Sequence, residues 1–216
     1  MDSQSDKTNR RPLKSRSTGW AAAASRAVLA TGLTANQVSF LGIVIAAVGA
    51  WAMVEGPTRP ILFLAAALAI QLRLLANMLD GMVAVEGGRG GPTGAIWNEF
   101  PDRIEDSLLL IAGGYAADPL TGLFLGLVAA LLAAICAYVR LLGGTLGQPQ
   151  DFGGPMAKPH RMAALTLGLL VAFVDRLATG NPFGSQWLML TLAIIAAGTL
   201  LTIVLRLIRL SKALRG

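Results

Sequence analysis

The segment NMLDGMVAVEGGRGGPTGAIWNEFPD (77–102) places two Asn and two Asp residues at helical spacing beside long apolar runs. Asn77 and Asp80 are three residues apart, and Asn98 and Asp102 are four apart, so each pair shares one face of a helix. Oxygen ligands of this kind suit a divalent cation that works on phosphates. Because two of the four side chains are amides, the segment predicts a metal site with fewer negative charges than carboxylates alone would supply.

Two helices must position these groups, and the Gly-rich segment EGGRGGPTG (86–94) joins them. Gly81, next to Asp80, removes a side chain at a point where another helix or a ligand comes close. The segment turns the chain back on the cytoplasmic side, so we expect a ligand to arrive from the cytoplasm.

The composition is that of a polytopic membrane protein, since 54% of the 216 residues are hydrophobic and only 14% are charged. We predict an all-α fold with six transmembrane helices, because a span needs about 20 apolar residues. The third span is the weakest by hydropathy, because it contains several acidic residues. The six predicted spans are 38–55, 60–83, 95–115, 119–139, 161–178 and 187–207.

The basic residues predict the orientation of the spans. With the N-terminus inside, only Arg59 and Arg176 among the basic residues near the spans lie outside, so the positive-inside rule favours cytoplasmic N- and C-termini. This arrangement explains the net charge of +6 without a nucleic-acid partner.

We expect no signal peptide at the N-terminus, because the first twenty residues are polar and basic. We expect residues 1–18 to form a disordered basic cytoplasmic tail near anionic lipid, and residues 19–216 to form a single transmembrane domain. The segment TGWAAAASRAVLATGL suits an interfacial amphipathic helix before the first span.

Other kinds of site are not supported by the sequence. Cys136 is the only cysteine, so a disulfide framework is excluded, and His160 with one cysteine cannot form a zinc site. The sequence contains no GxGxxG motif after a strand, no P-loop and no HExxH motif.

Charged residues inside predicted spans are costly and are either paired or functional. Arg73 could neutralise Glu105 or Asp106, so for these three a structural ion pair and a functional role both remain open. Arg103 is expected to pair locally with Glu99, which lies one turn earlier. Asp80 and Asp102 lie at helix ends beside the Gly-rich segment, and there we favour a functional role.

The spacing in this segment resembles the signature of the CDP-alcohol phosphatidyltransferases, D-x2-D-G-x2-A-R-x8-G-x3-D-x3-D. GLTANQVSFLG (32–42), YVRLLGG and GGPMAKPHRM are similar to further parts of that family, as are six spans with cytoplasmic termini. The signature positions fall, with every spacing kept, on Asn77, Asp80, Gly81, Ala84, Val85, Gly94, Asn98 and Asp102.

The resemblance implies transfer of a phosphatidyl or related phospho-alcohol group from a CDP-linked donor, such as CDP-diacylglycerol, to an alcohol, with release of CMP. It implies that Asp80, Asn77 and Asn98 surround Mg²⁺ or Mn²⁺. It also implies that Asp102 is the general base that takes the proton of the acceptor. The positions implied to lie around the donor nucleotide are Gly81, Ala84, Gly94 and Asn36.

The chain departs from the signature at its first and third acidic positions, which are Asn77 and Asn98, and at its Arg, which is Val85. An amide oxygen can coordinate Mg²⁺ but contributes no negative charge, so one ion is favoured over two. Glu99 or Glu86 could replace a missing carboxylate only through a locally distorted helix, because a neighbouring position lies about 100° around the axis.

Three basic residues could bind the phosphates of the donor or an anionic acceptor such as a phosphorylated polyol, namely Arg140, Lys158 and Arg161. The alternative is that they only follow the positive-inside rule. The resemblance also implies a homodimer in a bacterial inner membrane, and the glycines of GGYAADPLTGLFLG would permit close helix packing. Two other functions stay open: a catalytically degenerate member that binds a nucleotide-lipid or a partner protein, and a small lipid transporter.

Overall fold

The computed structural model describes residues 19–86, 93–180 and 186–215, and this part of the chain is all-helical. The elements are α1 (Gly19–Ala30), α2 (Ala35–Glu55), α3 (Ile61–Glu86), α4 (Gly94–Ala117), α5 (Thr121–Thr145), α6 (Lys158–Thr179) and α7 (Gln186–Ala213). The predicted tail and most of the Gly-rich segment lie outside the described residues.

Five of these helices, α2, α3, α5, α6 and α7, are long and apolar enough to cross a membrane. They correspond to five of the six predicted spans, which confirms an integral membrane protein. The predicted third span corresponds to α4, which has 24 residues but carries acidic side chains in its first half. Its second half, from Leu108 to Ala117, is apolar, and the helix packs against α2, α5 and α7.

Local signals fix where several helices begin and end. Thr34 and Gln37 form a capping box at the start of α2, where each side chain bonds the backbone N–H of the other. Pro159 lies in the first turn of α6, where its missing N–H removes no helical bond. Gly180 ends α6 in the left-handed conformation that glycine adopts most easily. These caps fix the start of α2 and both ends of α6.

Helices α4 and α5 approach each other through glycine. A Cβ atom on Gly114 would lie 2.3 Å from the carbonyl oxygen of Gly122, and one on Gly126 would lie 2.6 Å from that of Leu110. The glycines of GGYAADPLTGLFLG therefore pack within the chain, between neighbouring helices. These contacts between α4 and α5 do not require a homodimer.

The outer surface of the bundle is apolar, as a lipid-facing surface requires. Phe40 and Trp51 on α2, Phe124 on α5 and Val174 on α6 each expose more than half of their surface. The packed interior consists of residues such as Met53, Ile70, Leu109, Leu165 and Ile195, and it leaves one end of the bundle to polar side chains.

We expect Gly114→Ala to destabilise the fold by about 1–3 kcal/mol, because the new methyl group would overlap backbone that cannot move independently. The matched control is Gly19→Ala, where a Cβ would meet nothing within 4 Å. Thermal unfolding in detergent micelles measures both. Equal melting temperatures for the two variants would contradict the glycine-mediated contact.

Candidate active site

A cavity of about 430 Å³ opens at the end of the bundle where α3 ends and where α4 and α6 begin. Its described wall carries five basic and three acidic side chains, an excess that suits an anionic ligand. The acidic residues are Asp80, Glu99 and Asp102, and the basic ones are Arg103, Arg140, Lys158, Arg161 and Arg206.

Asp80 reaches this cavity from the last turns of α3. Its side chain is almost fully buried, with 6% of the residue exposed. The hydroxyl of Ser39 on α2 donates a hydrogen bond of 2.7 Å to Oδ2. Oδ1 is buried and accepts no hydrogen bond from the described residues. A buried carboxylate oxygen without a partner is costly, so this atom is suited to a ligand that the cavity admits.

Asp102 reaches the cavity from the third turn of α4, and its carboxylate is surrounded by donors. The amide nitrogen of Asn77 donates to Oδ1 at 2.7 Å, and the Lys158 ammonium forms an ion pair with the same oxygen. Among the described residues, Oδ2 has one long contact of 3.5 Å, to Arg103. Asp80 and Asp102 therefore differ, because Asp102 is held by internal donors and Asp80 keeps an open oxygen.

A buried ion network lies beneath the cavity. Arg73 on α3 bonds Glu105 at 2.7 Å and Asp106 at 2.5 Å, and all three side chains are almost completely buried. Arg161 on α6 bonds the other oxygen of Asp106 at 3.0 Å. Asn77 also donates to Glu105 at 2.9 Å. The structural pairing that the sequence left open for Arg73, Glu105 and Asp106 is thus present.

The orientation of the Asn77 amide follows from its neighbours. Its nitrogen faces two carboxylates, and turning the amide over would bring its oxygen against them instead. Its oxygen lies towards α2, where a Cβ on Gly42 would be 3.3 Å from it and 2.6 Å from Glu105 Oε1. Gly42 thus leaves room for both side chains, and Asn77 acts in this arrangement as a donor to Asp102 and Glu105.

Arg140 on α5 is also occupied. It pairs with Glu99 of α4, bonds the side chain of Gln150 at 2.5 Å and lies 5.1 Å above the ring of Phe152. The expected pairing of Arg103 with Glu99 is therefore wrong. Arg103 contacts Asp102 instead, because the packing of α5 against α4 brings Arg140 to Glu99.

The other residues singled out by sequence are placed as follows. Asn36 donates to Thr93 at 3.4 Å, which links the starts of α2 and α4. In the part of the chain that the structure describes, Gly81 and Ala84 are not among the cavity-lining residues, and a Cβ on Gly94 would meet nothing within 4 Å. His160 is exposed and does not line the cavity. The side chains of Val85 and Glu86 lie outside the described ones.

Arg206 on α7 also lines the cavity. In the sequence it is one of the basic residues near the spans that predict the orientation. It is 5% exposed and donates to the carbonyl oxygens of Gly153 and Cys136, both at 2.9 Å. Among the described residues, no carboxylate lies within ion-pair distance of its guanidinium. Its position inside an apolar helix was the available signal, since intramembrane charges are functional candidates.

The donor set for a metal ion is small. Within residues 19–86, 93–180 and 186–215, no three Asp, Glu, His or Cys side chains form a group that could hold one. Asp80 and Asn98 both line the cavity, and the open Oδ1 of Asp80 is a suitable anionic ligand for a divalent cation. The residues present fit one such ion more readily than two, because Asp102 Oδ1 is already occupied.

Comparison with solved structures identifies the architecture. The chain superposes on Mycobacterium tuberculosis phosphatidylinositol phosphate synthase PgsA1 solved with manganese and citrate, with a TM-score of 0.70 and 24% identity over 88% of each chain. The same enzyme with CDP-DAG bound gives a TM-score of 0.68 at 24% identity, over 88% of this chain and 92% of that one. This chain has the fold of a CDP-alcohol phosphatidyltransferase. The fold that the motif's resemblance implied is thereby confirmed.

Two curated proteins are similar in sequence. Inner membrane protein YnbA of Escherichia coli is 30% identical over 138 residues, which are 63% of this chain and 66% of that protein. Phosphatidylinositol phosphate synthase of Mycolicibacterium smegmatis is 25% identical over 148 residues, which are 67% of this chain and 64% of that protein. The chain thus spans just under two thirds of the length of each. No family model matches the chain.

We expect Arg73→Met to cost about 3–5 kcal/mol of stability, because it leaves Glu105 and Asp106 buried with too few partners. The matched control is Arg209→Met, which removes a solvent-accessible pair with Asp151. That change should cost less than about 1 kcal/mol. Unfolding in detergent, followed by circular dichroism, compares the two, and similar losses would contradict a dominant role for the buried network.

Proposed function

We propose that this protein transfers a phosphatidyl or related phospho-alcohol group from a CDP-linked donor, such as CDP-diacylglycerol, to an alcohol, and releases CMP. The observation that carries this proposal is the meeting of Asp80 and Asp102 in one basic cavity at the end of the bundle. The binding of CDP-DAG by PgsA1, which has the same fold, supports a CDP-linked lipid as the donor.

The reaction has one bond formed and one broken at phosphorus. The acceptor oxygen attacks the β-phosphorus of the donor, the bond from that phosphorus to the bridging oxygen breaks, and CMP leaves with that oxygen. Asp102 takes the proton of the acceptor as general base. We assign the proton to Oδ2, because Oδ1 is already held by Lys158 and Asn77.

For the cofactor we propose one Mg²⁺ or Mn²⁺ ion, held by Asp80 Oδ1 with the amide oxygen of Asn98. Such an ion, when bound, would supply positive charge to the phosphate oxygens of the donor. Asn77, the third residue implied by the resemblance, instead positions Asp102 through its amide nitrogen. Ser39 holds the other oxygen of Asp80 and so sets the direction of the open one.

The phosphates and the acceptor would meet the basic wall of the cavity. Arg140, Lys158 and Arg161 each have a carboxylate partner, so an anionic group must compete with Glu99, Asp102 or Asp106 for them. Within the described residues, the hydrogen bonds of the Arg206 guanidinium go to the backbone carbonyl oxygens of Gly153 and Cys136. We therefore assign to Arg206 the strongest attraction for an anionic group at the α7 side of the cavity.

We further propose that α4 is a sixth span, that α1 is an interfacial amphipathic helix, and that both termini are cytoplasmic. The basic residues at the cavity end of the bundle support this orientation in a bacterial inner membrane. Residues 1–18 would then form a basic tail in front of a single domain from 19 to 216, and a homodimer is the expected assembly.

Release of CMP from CDP-diacylglycerol by the purified protein in lipid nanodiscs tests the function. Mg²⁺ and Mn²⁺ are each supplied with a neutral polyol or a phosphorylated polyol as acceptor. The degenerate-member alternative predicts nucleotide binding without CMP in every combination. A lipid transporter predicts neither nucleotide binding nor CMP.

Asp102→Asn and Asp80→Asn should each lower CMP release by about 100-fold or more, because one removes the base and the other the anionic metal ligand. Asp151→Asn is the matched control, since Asp151 pairs with Arg209 and is not a cavity-lining residue. It should retain most of the activity. Full CMP release by Asp102→Asn would contradict its role as the base, and full release by Asp80→Asn would contradict its role as a metal ligand.

A further inference from the structure

One carboxylate oxygen, Asp102 Oδ1, carries two internal donors. The Lys158 ammonium pairs with it from the first turn of α6, and the Asn77 amide donates to it from α3 at 2.7 Å. A carboxylate oxygen offers two lone-pair positions, so these two donors occupy both. A metal ion could bind this oxygen only after Lys158 or Asn77 had moved away.

The departures of the chain from the signature also change the charge of the site. Replacing the signature carboxylates by Asn77 and Asn98 removes two negative charges, which is the charge of one divalent cation. A carboxylate at position 77 would also stand beside Asp102 and Glu105, where the present amide donates to both. The amide and the ammonium thus form a neutralised arrangement that holds together without a metal ion on this oxygen.

We propose that the Lys158 ammonium takes the place of a second divalent cation, so that the loaded site holds one ion, at Asp80. An ammonium is a compact charge with three donors, and its pairing with Asp102 uses one of them. The remaining two donate to phosphate oxygens of the diphosphate. This inference rests on the proposed function for the identity of the diphosphate. It concerns Lys158 and Asn77, the two residues that contact Asp102 Oδ1.

The number of bound ions tests the proposal directly. Full-length protein in detergent micelles is titrated with Mn²⁺ in the presence of CDP, and electron paramagnetic resonance of free Mn²⁺ gives the ions bound per chain. The wild type should bind one Mn²⁺. Any other count overturns the proposal, whatever the variants do.

The double variant Asn77→Asp with Lys158→Gln frees Asp102 Oδ1, adds one carboxylate and removes one positive charge, so it should bind two Mn²⁺. The matched control is Asn77→Asp with Lys212→Gln, which removes a lysine that is exposed near the end of α7. It should bind one. A folded double variant that also binds one Mn²⁺ would overturn the proposal.

A second measurement covers the case in which the double variant does not fold. In the presence of EDTA, Lys158→Gln should weaken CDP binding by about 10-fold, as expected for a lost charge-assisted hydrogen bond, and Lys158→Arg should weaken it less. Unchanged CDP affinity in Lys158→Gln would count against Lys158 as a phosphate-binding charge.

These results separate the inference from the proposed function. One Mn²⁺ bound by the wild type and two by the double variant, without CMP release, would support the replacement of an ion by Lys158 and reject the activity. Release of CMP by a wild type that binds two Mn²⁺ would support the activity and reject the replacement.

Discussion

The constraint on which this structure depends is the cost of burying charge inside an apolar bundle. Arg73, Glu105 and Asp106 have almost no exposed surface, and an unpaired charge there would be strongly destabilising. The chain of ion pairs from Arg73 through Asp106 to Arg161 joins α3, α4 and α6. These pairs therefore stabilise the observed packing of the three helices, which places the end of α3 and the starts of α4 and α6 around one cavity.

The same constraint gives Asp80 and Asp102 different surroundings in the cavity. The Asp102 carboxylate pairs with the Lys158 ammonium and accepts a hydrogen bond from the Asn77 amide. Asp80 has one oxygen bonded to Ser39 and one that is buried without a partner. Carboxylates at all four signature positions would repel one another. Here the Asn77 amide and the Lys158 ammonium both contact Asp102 instead.

Several features could be predicted from the sequence because they depend on neighbouring residues. Five apolar runs became five long apolar helices, and the acidic third run became α4. The signature spacing identified the fold and placed Asp80, Asp102, Asn77 and Asn98 at one cavity. The glycines of α4 and α5 indicated close packing, but Gly114 and Gly122 meet each other inside the chain, and this choice of partner is not a local property.

The sequence by itself determined the lengths of the apolar helices, the types of polar groups and the faces on which those groups lie, because helix periodicity and hydrophobic length are set by adjacent residues. The tertiary structure alone decided the partners. Glu99 binds Arg140 rather than Arg103, and the buried charge of Arg206 faces the cavity. Such pairings join residues far apart in the chain, and they follow from how close the helices pack and how they are rotated against one another.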